Sequence, residues 1–143
     1  MPRISAATNA AQRENTKRAI LNSFGEILYT RGLPGLTMTD VARNAGIGRT
    51  AVYNYFADMG ELLVAYALDE TERFLKELRE GLKGIENPID QLAVYIRLQI
   101  NDLARRHLPP GPAMRSMLSP ESYAKLGKHV HELQMVLAHI LSA

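Results

Sequence analysis

Apolar residues recur at intervals of three and four along this 143-residue chain, and no stretch alternates with period two. Such spacing marks amphipathic helices, in which one face returns every 3.6 residues. The first helix is predicted over residues 16–31, with Ile20, Phe24, Ile27 and Leu28 on one stripe and Gly32 as its stop. After a loop through Pro34 and Gly35, Thr37 stands three residues ahead of Asp40, a capping box with Asp in the place of Glu or Gln. The short helix it opens is anchored by Val41, Ala42 and Ala45 and ends at Gly46. Ile47 and Gly48 separate it from a third helix that runs to about Tyr55 on the anchors Val52 and Phe56. Asp58 caps a fourth, longer helix to about Leu82, carrying Leu63, Ala67, Thr71, Phe74, Leu78 and Leu82 in register.

Gly81, Gly84 and Asn87-Pro88 then break the pattern. Residues 88–107 are apolar around much of a helical circumference, through Ile89, Leu92, Val94, Ile96, Leu98, Ile100 and Leu103, so burial on several sides is expected. The proline cluster Pro109, Pro110 and Pro112 stops this helix, and a helical turn is expected over 113–118. Ser119 as N-cap and Pro120 as first helical residue open a last helix, striped by Leu126, Val130, Leu133, Leu137, Ile140 and Leu141. The predicted fold class is all-α.

The two helices joined by Ala45-Gly46-Ile47-Gly48 have the requirements of a helix-turn-helix. A steep crossing asks for Gly where a side chain would clash or φ must be positive, and for a small residue, Ala42, at the contact. The second helix keeps a narrow apolar edge, Val52 and Phe56, and leaves its remaining faces to an outside partner. That accounts for the odd mixture of the stretch GIGRTAVYNYF, in which two Tyr, an Arg, a Thr and an Asn surround a few apolar anchors.

From Leu36 to Leu63 the sequence LTMTDVARNAGIGRTAVYNYFADMGELL resembles the DNA-binding signature of the tetracycline-repressor (TetR) family. The similar features are the capped helix opening with Thr, the V-A-x-x-A-G-I pattern, a short helix ending Tyr-x-Tyr-Phe, and the E-L-L of the following helix. The helix before it, with Phe24 and the Arg31-Gly32 ending, also fits, so the likeness covers about residues 16–66. The resemblance implies a homodimer that places its third helix in the major groove of each half-site of a pseudo-palindromic double-stranded DNA operator. It implies an N-terminal arm and DNA-binding domain over 1–57, and a helical effector-binding and dimerisation domain over 58–143. Family members usually continue into eighth and ninth helices, so a chain ending at Ala143 is expected to be a short or truncated form, with the last helix as its dimer interface.

The positions matching the family's DNA contacts are Thr37, Thr39, Arg49, Thr50, Ala51, Tyr53, Asn54 and Tyr55. Arg49 suits guanine O6 and N7 or a phosphate, and Asn54 suits adenine. The methyl groups of Thr50 and Ala51 suit thymine methyls, and the hydroxyls of Thr37, Tyr53 and Tyr55 suit phosphates. Either tyrosine is open to the plainer reading of a half-buried brace. A Lys that many members carry early in the fourth helix is replaced by Met59, which would lower the salt slope by roughly one unit. Arg43 is a candidate to compensate. Arg3 and Arg13, on the N-terminal tail, have two readings, a disordered arm that reaches DNA and no specific contact, of which the second is expected.

Charge agrees with this reading. Residues 1–57 carry a net charge of +4 and residues 58–143 a net charge of −2, so the basic end is the one suited to a polyanion. The absence of Cys excludes disulfides and thiolate chemistry. No apolar run approaches the ~20 residues of a membrane span, and the first fourteen residues lack a signal-peptide core, so a cytoplasmic protein is expected. His129 and His131 diverge on a helix, unlike a metal pair at i, i+4, and Ser116, Ser119 and Ser122 have no recognisable base. Neither metal nor cofactor nor enzymatic activity is expected. Phe74, Tyr95, Met114, Met117 and Tyr123 are candidates to line a cavity for a small apolar effector, against the alternative that they are core residues. The function expected is a transcriptional repressor released by such an effector; the alternatives are an effector-independent DNA-binding protein and a helical protein-interaction module.

Overall fold

The computed structural model describes residues 6–105 and 118–142, and every regular element among them is a helix. In order these are α1 (Ala6–Thr30), α2 (Met38–Ala45), α3 (Arg49–Tyr53), α4 (Met59–Leu82), α5 (Pro88–Arg105) and α6 (Pro120–Ser142). The chain divides into two compact units, Met1–Leu62 and Leu63–Ala143. The turn expected over 113–118, with Met114 and Met117, lies outside the described residues apart from Leu118.

In the first unit α1 packs on α2, and α2 on α3. Ile20, Leu21, Phe24, Ile27 and Leu28 of α1 are buried with Met38, Val41 and Ala42 of α2 and with Val52 and Phe56. α1 begins ten residues ahead of the predicted start. Residues 8–15 include Ala10, Ala11, Gln12, Arg13 and Glu14, strong helix formers with no buried side chain, so propensity extends the helix where no stripe announces it. Gly32, at φ 78°, closes α1 by donating to the Ile27 and Leu28 carbonyls. A polar bracket ties α1 to α2: buried Ser23 donates to the Val41 carbonyl at 2.9 Å, and Asn44 Nδ2 donates to Ser23 Oγ and to Glu26 Oε2, each at 3.0 Å.

In the second unit Leu63, Ala67, Thr71, Phe74 and Leu78 form the buried stripe of α4, and the Thr71 hydroxyl is satisfied by the Ala67 carbonyl at 2.9 Å. Gly81 lies within α4 and does not break it. It is a close-packing position, since a Cβ there would stand 3.0 Å from Val94 Cγ1 of α5. Gly84, at φ 76°, turns the chain after α4. α5 packs on α6. The expectation that α5 is buried on several sides is not met: Ile89, Ile96 and Ile100 are exposed at 76, 48 and 61%. Apolar residues around a whole circumference do not say which neighbour covers each side, and only the flank bearing Val94 and Asp102 is buried among the described side chains. Val130, Met135 and Leu141 of α6 are exposed as well, while Ile140 is buried.

Candidate nucleic-acid interface

Local chemistry sets the helix-turn-helix. Thr37 is extended (φ −120°, ψ 161°); its hydroxyl accepts from Asp40 N at 3.1 Å, and Asp40 Oδ2 accepts from Thr37 N at 3.0 Å. The capping box is therefore complete. The Thr37 backbone N–H first, and then the Thr37 side chain, hydrogen-bond the Asp40 carboxyl and hold it below its ordinary range against the opposing effect of burial, with Arg31 and Arg43 adding to them. Gly46 is left-handed at φ 73°, and Ile47 N donates back to the Ala42 carbonyl at 3.0 Å, so the chain reverses out of α2 in a Schellman-type stop. A Cβ on Gly46 would meet nothing within 4 Å, so backbone conformation and not crowding calls for glycine here. Gly48 is different. At φ −71° and ψ 149°, with open space around it, it meets neither demand of the turn.

α3 ends at Tyr53, two residues short of the prediction, with Asn54 as its C-cap and Tyr55 in the turn that follows. Val52 and Phe56 are buried and hold it down. Arg49, Thr50, Tyr53 and Asn54 are exposed, on an arc of about 140° at 100° per residue. Ala51 and Tyr55 flank that arc and are half-buried. Thr37 and Thr39 are exposed at the start of α2, with the Thr37 side chain engaged in the cap.

Four arginines of this unit, Arg13, Arg31, Arg43 and Arg49, fall into two kinds. Arg31 and Arg43 lie 3.8 and 4.0 Å from the Asp40 carboxylate, which partly neutralises them. Arg49 and Arg13 instead rest on aromatic rings: Arg49 Cζ is 5.5 Å from the Tyr53 centroid, and Arg13 Cζ is 5.1 Å from the Tyr55 centroid. A ring face orients a guanidinium without cancelling its charge, leaving its N–H donors available to an anion.

The sequence model for bacterial regulatory proteins of the tetR family matches residues 20–66. Residues 20–66 are thus similar to the DNA-binding region of tetR-family regulators. An HTH-type transcriptional regulator of Haemophilus influenzae, itself uncharacterised, is 35% identical over 83 residues, covering 57% of this chain and 40% of that protein. The HTH-type transcriptional regulator AlkX of Mycobacterium tuberculosis is 33% identical over 72 residues, covering 50% of this chain and 34% of that protein. The matched stretches thus span 40% and 34% of these relatives. Among solved structures, the fatty acid degradation regulator FadR of Bacillus halodurans superimposes with a TM-score of 0.72 at 17% identity, over 89% of this chain and 66% of that one. A family regulator from Marinobacter aquaeolei gives a TM-score of 0.63 at 18% identity, over 90% and 70% of the two chains. At these identities the likeness is one of fold.

Arg13, ahead of the matched residues, is placed beside Tyr55, against the expectation that it makes no specific contact. It precedes Ile20 by seven residues, so extending the stripe of α1 back by two turns puts it on the side that faces the rest of the unit. Arg3 lies outside the described residues. Of the proposed effector residues, Phe74 and Tyr95 meet edge to face, with centroids 6.1 Å apart and an interplanar angle of 86°. Tyr123 is largely exposed. None of these three lines the apolar cleft of about 290 Å³ formed by Leu82, Gln91, Met135, Val136, His139 and Ile140. Among the described residues no group of three His, Asp or Glu is placed to hold a metal, and no helix is long and apolar enough to cross a membrane.

Proposed function

We propose that this chain is a homodimeric, sequence-specific regulator of the tetR family that reads a pseudo-palindromic operator with α3. The observation that carries the reading is the sidedness of α3, anchored through Val52 and Phe56 while Arg49, Thr50, Tyr53 and Asn54 face outward. Arg49 and Asn54 take base edges, Thr50 and Ala51 offer methyl contacts, and Thr37, Thr39, Tyr53 and Arg43 hold phosphates. Tyr55 acts chiefly as a brace, since its ring is half-buried beneath Arg13. The DNA-reading domain extends to residue 57 and the helical body follows it. Dimerisation through α6 is supported by the exposed apolar residues Val130, Met135 and Leu141, and repression relieved by a small apolar effector is supported by the apolar cleft beside Met135.

Selection of bound sites from random duplexes tests this proposal and yields the half-site spacing, expected at one helical turn of about 34–36 Å or a multiple of it. Arg49→Ala and Tyr53→Ala should each weaken binding to the selected site at fixed salt. If both variants bind as tightly as the parent, or if the parent enriches no sequence, the reading falls.

A further inference from the structure

A polar cleft of about 430 Å³ opens beside the reading helix, lined by Asn9, Gln12, Arg13 and Thr16 of α1 and by Tyr55. Its four α1 residues recur at i, i+3, i+4 and i+7, so they share one face over about 10 Å of helix. Their chemistry is that of donors. No carboxylate pairs with Arg13 among the described residues, and its charge is steadied only by the Tyr55 ring, 5.1 Å from Cζ. The Asn9 and Gln12 carboxamides make no hydrogen bond with other described residues, which leaves their NH₂ groups free. Thr16 is occupied, donating its hydroxyl proton to the Gln12 carbonyl at 3.0 Å. No acidic side chain lines the cleft.

The geometry points to this cleft as a phosphodiester clamp, in which Arg13, with Asn9 and Gln12, grips the DNA backbone beside the half-site read by α3. It rests on the DNA-binding reading above and adds a contact outside the helix-turn-helix. Tyr55 is the positioning residue: the turn that ends α3 carries the ring on which the α1 cation rests, so docking of α3 and the grip of α1 are set by one side chain. A phosphate clamp carries no sequence information and contributes a salt-dependent term common to all duplexes.

The test is a salt titration of the full chain on its selected operator and on an unrelated duplex, read by fluorescence anisotropy. Arg13→Ala should weaken both complexes by a similar factor and reduce the slope of log K against log salt by about 1.8, or about 0.9 for each protomer of the dimer. Between 50 and 200 mM salt the parent should therefore lose about twelvefold more affinity than the variant. Arg13→Lys should retain the parental slope, and Gln12→Glu, which puts a carboxylate into the cleft, should weaken both duplexes as Arg13→Ala does. Far-UV circular dichroism and urea midpoints matching the parent show that the variants are folded. A parent that selects a site while Arg13→Ala and Gln12→Glu keep its affinity and slope overturns the clamp alone. A parent that selects nothing overturns the DNA-reading function itself. Loss confined to the selected operator also overturns the clamp, since it would make Arg13 a base reader.

Discussion

Gly46 and Gly48 are two residues apart in one turn, yet the structure asks for opposite responses when each is replaced. Gly46 sits at φ 73°, where an L-residue costs about 1–2 kcal/mol. Alanine also narrows the unfolded ensemble, which returns about 0.4–1 kcal/mol. With nothing within 4 Å of the added Cβ, no clash enlarges the loss, and Gly46→Ala should destabilise by about 1 kcal/mol. Gly46→Asn should recover part of this, because Asn visits the left-handed region more readily. Gly48, at φ −71° and ψ 149°, is the N-cap of α3 and offers no side-chain cap. A serine there can accept from the N–H of Thr50 or Ala51 and should stabilise by roughly 0.5–1 kcal/mol, while Gly48→Ala should be close to neutral. The assay is urea unfolding followed at 222 nm. With m of about 1–3 kcal/mol/M, the midpoints of Gly46→Ala and Gly48→Ser should differ by roughly 1 M. Equal midpoints for Gly46→Ala and Gly48→Ala would refute the assignment of Gly46 to its backbone angle.

Thr37→Ala removes one half of the capping box and should cost about 1 kcal/mol in the same assay. Asp40 has its carboxyl held below the ordinary value of 3.8 in the folded chain, so its ionised form favours folding. That contribution is present above 3.8 and is lost as pH falls through the lower folded value, so the stability gap between parent and Asp40→Asn should narrow on acidification below 3.8. A gap that widens on acidification would contradict the assignment. Ser23→Ala removes a buried hydroxyl that donates to the Val41 carbonyl and accepts from Asn44, and should lower stability by about 1 kcal/mol. Phe24→Ala, at a fully buried site, should cost about 3–5 kcal/mol and abolish operator binding together with the unfolding transition of the first unit.

Much of the reading head was legible in the order of residues. The Thr37–Asp40 box, the Gly46 stop and the Val52–Phe56 anchors each depend on neighbours within five residues, so short-range chemistry specifies them and the structure repeats them. The start of α1 was not legible by pattern, because residues 8–15 bury no stripe and only propensity speaks there. The role of Arg13 was hidden for a related reason: its partner, Tyr55, is 42 positions away, and no local rule joins them. α5 erred the other way. Its abundance of apolar residues promised burial that no described neighbour supplies.

By itself, then, the sequence determined which segments become helices, where the turn of the helix-turn-helix reverses, and which edge of α3 is apolar. These follow from periodicity, capping and the conformational freedom of glycine, all of which act within one or two turns. Tertiary structure decided what could not be local. It divided the arginines into those neutralised by Asp40 and those resting on tyrosine rings, made Gly81 a packing position against Val94, and brought α1 beside the end of α3. Each of those outcomes is a distance between residues far apart in the chain, and such distances are settled only when separate helices bury their stripes against one another.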